Sequence, residues 1–195
     1  MTLSVPSRRF ASDAGPDRAP ASRSDGGAAT DAPITPAEAR RRHSLIVGNL
    51  VGELRAALRD LPCEVHPSEM RVHVPALGRS VVPDVTVLIQ APRLHDEAEG
   101  SLANPAVLFE VLTEATEAYD RGDKFEAYAS IPSLAEYLLV STKHARIERF
   151  VRQQDGSWTY RAYKRGDPIP LSTCGCQLLV DEVYLKALGQ GSKSP

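Results

Sequence analysis

The apolar and polar positions of the chain predict an order of helix, strands, helix and strands. Apolar residues recur at helical spacing from Leu45 to Leu58. Thr35-Pro36 in front of this stretch is typical of a helix start, and Leu61-Pro62 ends the predicted helix near Arg59. A mixed sheet flanked by helices accommodates this order, so the pattern predicts an α/β fold.

Shorter apolar runs between turn residues predict the strands. The mostly polar stretch 91–104 predicts an irregular loop, and Asp155-Gly156 marks the turn of a C-terminal β-hairpin. The predicted strands are residues 63–66, 69–75, 81–89, 107–112, 136–140, 146–152 and 158–163, followed by a short strand or helix between 178 and 188.

The second helix is predicted to open at Asp120. Asp120-Arg121-Gly122-Asp123 has the form of a capping box with an aspartate in the third helical position, and Ile131-Pro132 closes the helix. Helical spacing then places Asp120, Lys124 and Tyr128 on one face.

Two acids interrupt strands that are otherwise apolar. Glu110 lies between Phe109 and Val111, and Asp84 precedes the run that starts at Val85. A buried carboxylate is costly unless a positive group meets it. If the two strands are neighbours, both acids converge at one edge of the sheet. Magnesium takes one or two protein carboxylates, and a cation such as Lys124 stabilises charge that develops on a phosphate, so this pattern indicates a metal site for phosphodiester chemistry.

Composition and charge narrow the function classes. The 195 residues suffice for one domain with a sizeable core, and the net charge of -2 argues against nucleic-acid binding through bulk charge, while a local basic surface stays compatible with it. The sequence has no apolar run long enough for a bilayer and no secretory signal at its start, so we expect a cytoplasmic protein without a membrane partner. Its three cysteines are expected to be reduced thiols, since Cys174-Gly-Cys176 lacks the second pair of a zinc site.

The composition also divides the chain. Residues 1–34 have almost no large apolar side chains and are predicted to be a disordered N-terminal tail. Residues 35–189 form the predicted folded domain, and residues 190–195 a disordered C-terminal tail.

Several short motifs occur in an order that is specific in combination. They are Pro83-Asp84, Phe109-Glu110-Val111-Leu112-Thr113, the stretch Tyr119 to Lys124 with Tyr128, and Glu136 to Val140. On these motifs, from His43 to Leu188, the chain resembles the Uma family of putative restriction endonucleases, a branch of the PD-(D/E)XK nuclease superfamily. The resemblance implies a restriction-endonuclease-like core and hydrolysis of DNA by a water activated by Mg²⁺ or Mn²⁺.

The resemblance also implies roles for particular residues. Asp84 matches the first acid of the superfamily motif, Glu110 the second acid, and the backbone carbonyl of Val111 a main-chain metal ligand. The usual lysine position, two residues after the second acid, holds Leu112, which points to Lys124 on the following helix as the lysine of this branch. Further candidates for contact around the site are His43, Glu53, Asp120 and Tyr128.

Most of these residues also have a structural interpretation. Asp84 can begin a strand after a proline, and Lys124 can be a solvated lysine of a helix. Glu110 can be a buried acid that pairs with Lys124 without any metal, Asp120 a helix cap, Tyr128 a core residue with a bonded hydroxyl, and His43 a polar residue of a helix surface.

Basic residues crowd the C-terminal strands and fit either a phosphate-binding surface with Trp158 and Tyr160 or a solvated hairpin, because Glu136, Glu148 and Asp155 interrupt them. They are Lys143, His144, Arg146, Arg149, Arg152, Arg161, Lys164 and Arg165.

With this resemblance, the sequence predicts an endonuclease with DNA as partner. A homodimer stays open, because restriction-like enzymes often cut both strands as dimers and the sequence shows no recognisable dimer interface. Two alternatives from other classes stay open. One is a catalytically idle protein with a nuclease fold that serves in binding, and the other is a phosphodiesterase acting on a small nucleotide.

Overall fold

The computed structural model describes residues 34–96 and 100–188. The predicted tail 190–195 and, apart from Ile34, the predicted tail 1–34 lie outside these residues. The first helix, α1, spans Pro36–Ala57, and the Thr35 hydroxyl caps it by accepting a 3.2 Å hydrogen bond from the Glu38 N–H. This is the predicted helix start, with proline in the first turn.

The strands of the first half of the chain are short. They are β1 (Glu64–Pro67), β2 (Val72–Val74), β3 (Arg79–Val81), β4 (Val85–Leu88), β5 (Leu94–Asp96) and β6 (Ser101–Leu102), with one 3₁₀ turn at Pro75–Leu77.

The second half holds the longer strands and three short helices. The elements are β7 (Val107–Leu112), α2 (Glu117–Arg121), α3 (Asp123–Ala129), β8 (Glu136–Ser141), β9 (Arg146–Arg152), β10 (Trp158–Lys164), β11 (Pro168–Leu171), β12 (Cys176–Leu179) and α4 (Val180–Val183).

A six-stranded mixed sheet organises the domain. Its order is β1-β4-β7-β8-β9-β10, and β7 and β8 are parallel while the other neighbours are antiparallel. Strands β5, β6, β2 and β3 form a smaller sheet, and β11 pairs with β12. The predicted mixed sheet with flanking helices and a C-terminal hairpin, β9–β10, is confirmed.

The central strand β7 is buried on both faces. Phe109 and Val111 face α1, where Ile46, Leu50 and Leu54 are fully buried in the same core cluster. Leu108 and Leu112 lie in a second cluster on the opposite face, with Phe125 and Tyr128 of α3. Each fully buried leucine contributes about 2 kcal/mol through removal from water. Glu110 shares the parity of Leu108 and therefore points toward α3.

Three predictions of local structure are wrong. Residues 91–104 are not simply an irregular loop, because they contain β5 and β6. Leu102 of β6 is fully buried and pairs with Val72 of β2, a long-range contact that local sequence does not show. The predicted strand 81–89 is interrupted between β3 and β4, where Pro83 lacks the N–H that a ladder needs, and its two parts join different sheets.

The second helix does not open at Asp120. Helix α2 begins at Glu117, after a turn in which the Thr113 carbonyl accepts hydrogen bonds from the N–H groups of Thr116 and Glu117. Gly122 separates α2 from α3 and interrupts the helix. Asp120 therefore lies inside α2 and caps neither helix.

No helix among residues 34–96 and 100–188 is both long and apolar enough to cross a membrane.

Candidate active site

The two acids singled out by the sequence meet at one end of the β4–β7 pair. Val85 pairs with Phe109, and one further step of this antiparallel register places Asp84 across from Glu110. Asp84 follows Pro83 directly and lies one residue before β4. The Asp84 carboxylate binds the N–H of Val111, the residue after Glu110, and raises the pKa of Glu110, so the two carboxylates belong to one site.

Asp84 is fixed by two contacts from opposite sides. Its Oδ2 accepts a 2.8 Å hydrogen bond from the Val111 N–H, and its Oδ1 lies 3.1 Å from His43 Nε2. The hydrogen bond to Asp84 raises the pKa of His43, against the effect of burial. His43 reaches the acid from α1, so the helix that covers one face of the sheet also contributes to the site.

Glu110 is fixed from the other face of the sheet and is 4% exposed. Its Oε1 accepts a 2.8 Å hydrogen bond from the Tyr128 hydroxyl, and its Oε2 lies 2.8 Å from Lys124 Nζ. Burial, together with Glu110, raises the pKa of Tyr128, so the phenol keeps its proton and acts as a donor.

The charge state of Glu110 reflects two opposed effects. Burial raises the pKa of Glu110 to about 7, and the nearby Asp84 adds to this rise. Lys124 and the Tyr128 hydroxyl act in the opposite direction without cancelling it. Glu110 therefore changes protonation near neutral pH, which is unusual for a carboxyl group.

Lys124 bridges two acids. Its Nζ lies 2.9 Å from Asp120 Oδ1 as well as 2.8 Å from Glu110. Burial alone would lower the pKa of Lys124, but the two carboxylates outweigh it and raise the pKa. Asp120 is 2% exposed, and its backbone carbonyl accepts a 3.1 Å hydrogen bond from the hydroxyl of buried Tyr137. Asp120 and Lys124 are in contact, in agreement with their helical spacing, although Gly122 separates α2 from α3.

The structure brings together most of the predicted site residues. His43 contacts Asp84, whereas Tyr128 and Lys124 contact Glu110 and Lys124 also contacts Asp120. Asp84 lies close enough to Glu110 to raise its pKa, so we treat these six residues as one group and call it the carboxylate cluster. Val111 joins it through its N–H. Glu53 does not, since ten positions along α1 separate its Cα from that of His43 by about 15 Å.

Tyr137 was not singled out by the sequence. Strand parity could have indicated it, because Tyr137 and Leu139 lie on the same face of the sheet as Glu110. The hydrogen bond from Tyr137 to the Asp120 carbonyl of α2 is a long-range contact that parity does not predict.

The donor set of the carboxylate cluster suits a hard divalent cation. Three carboxylates, those of Asp84, Glu110 and Asp120, share one lysine and one histidine, so negative charge is in excess when all three are ionised. Magnesium binds oxygen ligands, takes one or two protein carboxylates and retains waters. Asp84 and Glu110 supply that number, and the Val111 carbonyl is the adjacent main-chain oxygen.

Within residues 34–96 and 100–188, no group of three or more His, Cys, Asp or Glu side chains is arranged to enclose a metal ion. A magnesium site with two carboxylates and waters needs no such group. Cys63, Cys174 and Cys176 are free thiols. A depression lined by Arg55, Arg59, Cys63 and His66, among others, lies at the C-terminal end of α1 and includes no member of the carboxylate cluster.

The fold of this chain is similar to that of a solved structure. A crystal structure of a putative nuclease belonging to DUF820, from Anabaena variabilis, matches with a TM-score of 0.59 over 75% of this chain and 82% of that chain. The sequences are 15% identical, so this likeness establishes the fold alone: a mixed α/β domain with a restriction-endonuclease-like core.

The family follows from the sequence. The model of the Uma2 family, described as putative restriction endonuclease, matches residues 32–180, and this chain belongs to that family. Two uncharacterized proteins of Synechocystis sp. are similar to it: slr1290 is 34% identical over 122 residues, and sll1609 is 31% identical over 122 residues. The match covers 63% of this chain in both cases, 63% of the length of slr1290 and 69% of that of sll1609.

Proposed function

We propose that this protein is a Mg²⁺- or Mn²⁺-dependent endonuclease that hydrolyses phosphodiester bonds in DNA. The observation that carries the proposal is the pair of carboxylates held across adjacent strands, with a half-buried lysine bound to one of them. Membership of the Uma2 family supports the reaction class.

The cation would be held by Asp84, Glu110 and the main-chain carbonyl of Val111. It would polarise the phosphoryl oxygen and lower the pKa of a bound water, which is the chemistry that metal ions supply in nucleases. Two of these groups lie on β7, a strand buried on both faces, so little reorganisation accompanies binding.

Lys124 provides the positive charge beside the reacting phosphate. An ammonium group has three N–H donors, and the carboxylates of Glu110 and Asp120 orient it through two close contacts. The remaining donor is directed to the attacking water or to a phosphoryl oxygen in our proposal. A cation fixed in this way stabilises developing negative charge without reorienting during the reaction.

His43 and Tyr128 hold the two acids in place. His43 contacts one oxygen of Asp84 while the Val111 N–H binds the other, and Tyr128 donates to Glu110. Substrate and cation thus meet carboxylates that have a single orientation.

One observation favours a second candidate, a nuclease-fold protein that binds a partner without catalysis. Both oxygens of Asp84 and both oxygens of Glu110 already have a protein partner. These protein partners compensate part of the negative charge of the two carboxylates without a metal. Calorimetric titration separates the two candidates, since an idle set does not take up Mg²⁺ or Mn²⁺ at millimolar concentration.

Cleavage of supercoiled plasmid tests the proposal directly. We expect the wild-type protein to nick the plasmid with Mg²⁺ or Mn²⁺, and Asp84→Asn and Glu110→Gln to lower the rate by at least about a hundredfold. Glu126→Gln is the matched control, because Glu126 is an exposed acid of α3 outside the carboxylate cluster, and it should cleave at the wild-type rate.

Thermal unfolding of each variant distinguishes lost chemistry from lost folding. Equal cleavage by wild type and folded Glu110→Gln would refute the assigned site. Absence of cleavage by the wild type with either metal would refute the catalytic proposal in favour of the binding protein.

A further inference from the structure

A second cluster of charged side chains lies on the same face of the sheet as Glu110. Glu148 of β9 is 5% exposed, and two arginines converge on its carboxylate. Arg146 Nε lies 2.8 Å from Glu148 Oε1, and Arg121 Nη1 contacts Glu148 Oε2. We call Arg121, Arg146 and Glu148 the arginine pair and its anchor.

Glu148 holds the guanidinium groups of the arginine pair while their side chains stay exposed to solvent. The side chains of Arg121 and Arg146 are 36% and 51% exposed, whereas that of Glu148 is 7% exposed. Burial acts to raise the pKa of Glu148, but the hydrogen bonds from the two arginines outweigh it and leave the pKa below the usual value. The anchor is therefore a carboxylate at neutral pH, and two guanidinium groups share its one charge.

Further contacts restrict the orientation of each arginine. Arg121 Nε binds Glu117 Oε1 at 3.0 Å, and Arg146 Nη2 donates a 2.9 Å hydrogen bond to the hydroxyl of Tyr160. Lys143 Nζ lies 3.9 Å from Glu117, so three cations in this patch face two carboxylates and one positive charge remains in excess.

Strand register relates this cluster to the carboxylate cluster. Glu110 pairs with Leu139 and Leu139 pairs with Glu148, so the three side chains form one row on one face. Two strand spacings separate Glu110 from Glu148, a distance of about 10 Å. Arg121 directly follows Asp120, whose carboxylate contacts Lys124, so α2 connects the two clusters along the chain.

The other arginines of these strands have different surroundings. Arg149 is 8% exposed and pairs with Glu136 on the opposite face, and Arg161 lies over the ring of Tyr163. Arg152 of β9 donates a hydrogen bond to the Pro132 carbonyl and lies over the ring of Trp158. Arg121 and Arg146 differ from them because they are exposed, oriented, and on the face that carries the proposed catalytic groups.

We propose that Arg121 and Arg146 bind a backbone phosphate of the DNA strand that is cut, next to the reacting phosphate. Guanidinium groups match phosphate oxygens geometrically and form charge-assisted hydrogen bonds with them. The separation of about 10 Å between Glu110 and Glu148 places the arginine pair within reach of a neighbouring phosphate of that strand. This proposal rests on the proposed function, since it assumes DNA across the carboxylate cluster.

Metal-free binding measurements test the arginine pair independently of cleavage. The affinity of the full chain for a short fluorescent DNA duplex is measured by anisotropy between about 50 and 200 mM salt. We expect Arg121→Gln and Arg146→Gln each to weaken binding about tenfold and to reduce the slope of log affinity against log salt by about 1. Arg165→Gln is the matched control: it removes the same charge from an exposed arginine paired with Asp181, and we expect wild-type binding.

Arg146→Lys serves as a second variant, since it keeps the charge and loses the forked donor geometry. It should retain most of the salt slope and bind more weakly than the wild type. Equal slopes for wild type, Arg121→Gln, Arg146→Gln and Arg165→Gln would overturn the proposal, and so would a wild type that does not bind the duplex. The binding measurements contain no metal and are therefore independent of cleavage. If binding depends on the arginine pair but the protein does not cut plasmid, only the catalytic proposal is contradicted.

Discussion

Glu110 and Glu136 show how the surroundings decide what a buried acid does. Both are at most 4% exposed, and both lie on long strands of the same sheet. Glu136 meets Arg149 at 2.7 Å and the Thr173 N–H at 2.8 Å, which satisfies its charge within the fold. Glu110 instead shares Lys124 with Asp120 and lies near a further acid, Asp84. Only the second arrangement leaves an excess of negative charge for a cation.

The raised pKa of Glu110 predicts a specific dependence of stability on pH. The pKa is about 7 in the folded protein and 4.5 as its reference value, so the unfolded chain loses this proton first as the pH rises. The stabilising contribution is complete below about pH 4.5 and is lost as the pH passes 7. We expect the free energy of unfolding of the wild type, relative to Glu110→Gln, to fall by about 3 kcal/mol over this range.

Urea unfolding at a series of pH values measures this difference. Glu126→Gln is the control, since Glu126 is an exposed acid of α3 outside the carboxylate cluster. A constant difference between wild type and Glu110→Gln from pH 4 to pH 8 would show that Glu110 titrates equally in the folded and unfolded chains.

At the scale of elements, the pair Glu136 and Arg149 connects three parts of the fold. Glu136 begins β8 and Arg149 lies in β9, and the turn before β12 binds the same carboxylate through the Thr173 N–H. Arg149 Nη2 also lies 3.4 Å from Ser172 Oγ. This buried pair therefore orders the β11–β12 hairpin against the main sheet.

Removal of one partner of this pair should be strongly destabilising. Arg149→Leu leaves the carboxylate of Glu136 buried without a cation, and we expect a loss of about 3–5 kcal/mol in the free energy of unfolding. Urea unfolding measures the loss. The double variant Glu136→Leu with Arg149→Leu should recover much of it, because no buried charge remains. A double variant as unstable as the sum of both single variants would contradict this explanation.

At the scale of the whole molecule, each chain carries the carboxylate cluster within its described residues, 34–96 and 100–188. A single site cuts one strand in each encounter, whereas a twofold dimer presents two sites to the two strands of a duplex. The order in which plasmid products appear therefore reports the functional oligomeric state.

We expect nicked circles to accumulate before linear plasmid at low protein concentration, and direct linear product to increase with concentration as chains associate. A time course over several protein concentrations, with sedimentation of the same samples, measures both quantities. Linear product that forms without a nicked intermediate at the lowest concentration, from a sedimenting monomer, would contradict the expectation.

Much of the candidate site could be predicted from the sequence, because a charged residue within an apolar segment is a local feature. An acid in an apolar run stands out, so Asp84 and Glu110 could be identified, and strand parity predicted their convergence. Helical spacing related Lys124 to Asp120 and Tyr128. The contact survives the break at Gly122 because α3 continues directly after α2.

Contacts between distant segments were not accessible in the same way. The sequence showed basic residues and acids mixed along the C-terminal strands, but not that Arg121 of α2 joins Arg146 at Glu148. It did not show that Asp120 is buried, or that residues 91–104 contribute β5 and β6 to a second sheet. Such pairings depend on which strands become neighbours, and no local pattern specifies this.

The sequence by itself determined the class of fold, its main strands and helices, and the two acids, because hydrophobic periodicity and buried charge are properties of short segments. Only the tertiary structure decided which charges meet. It gave Glu110 a lysine, Glu136 an arginine, and Glu148 two arginines, because strand order and helix placement set the distances between charges. Coulomb energies in a protein interior depend steeply on those distances and on burial, so the chemistry of each acid is a property of the folded molecule.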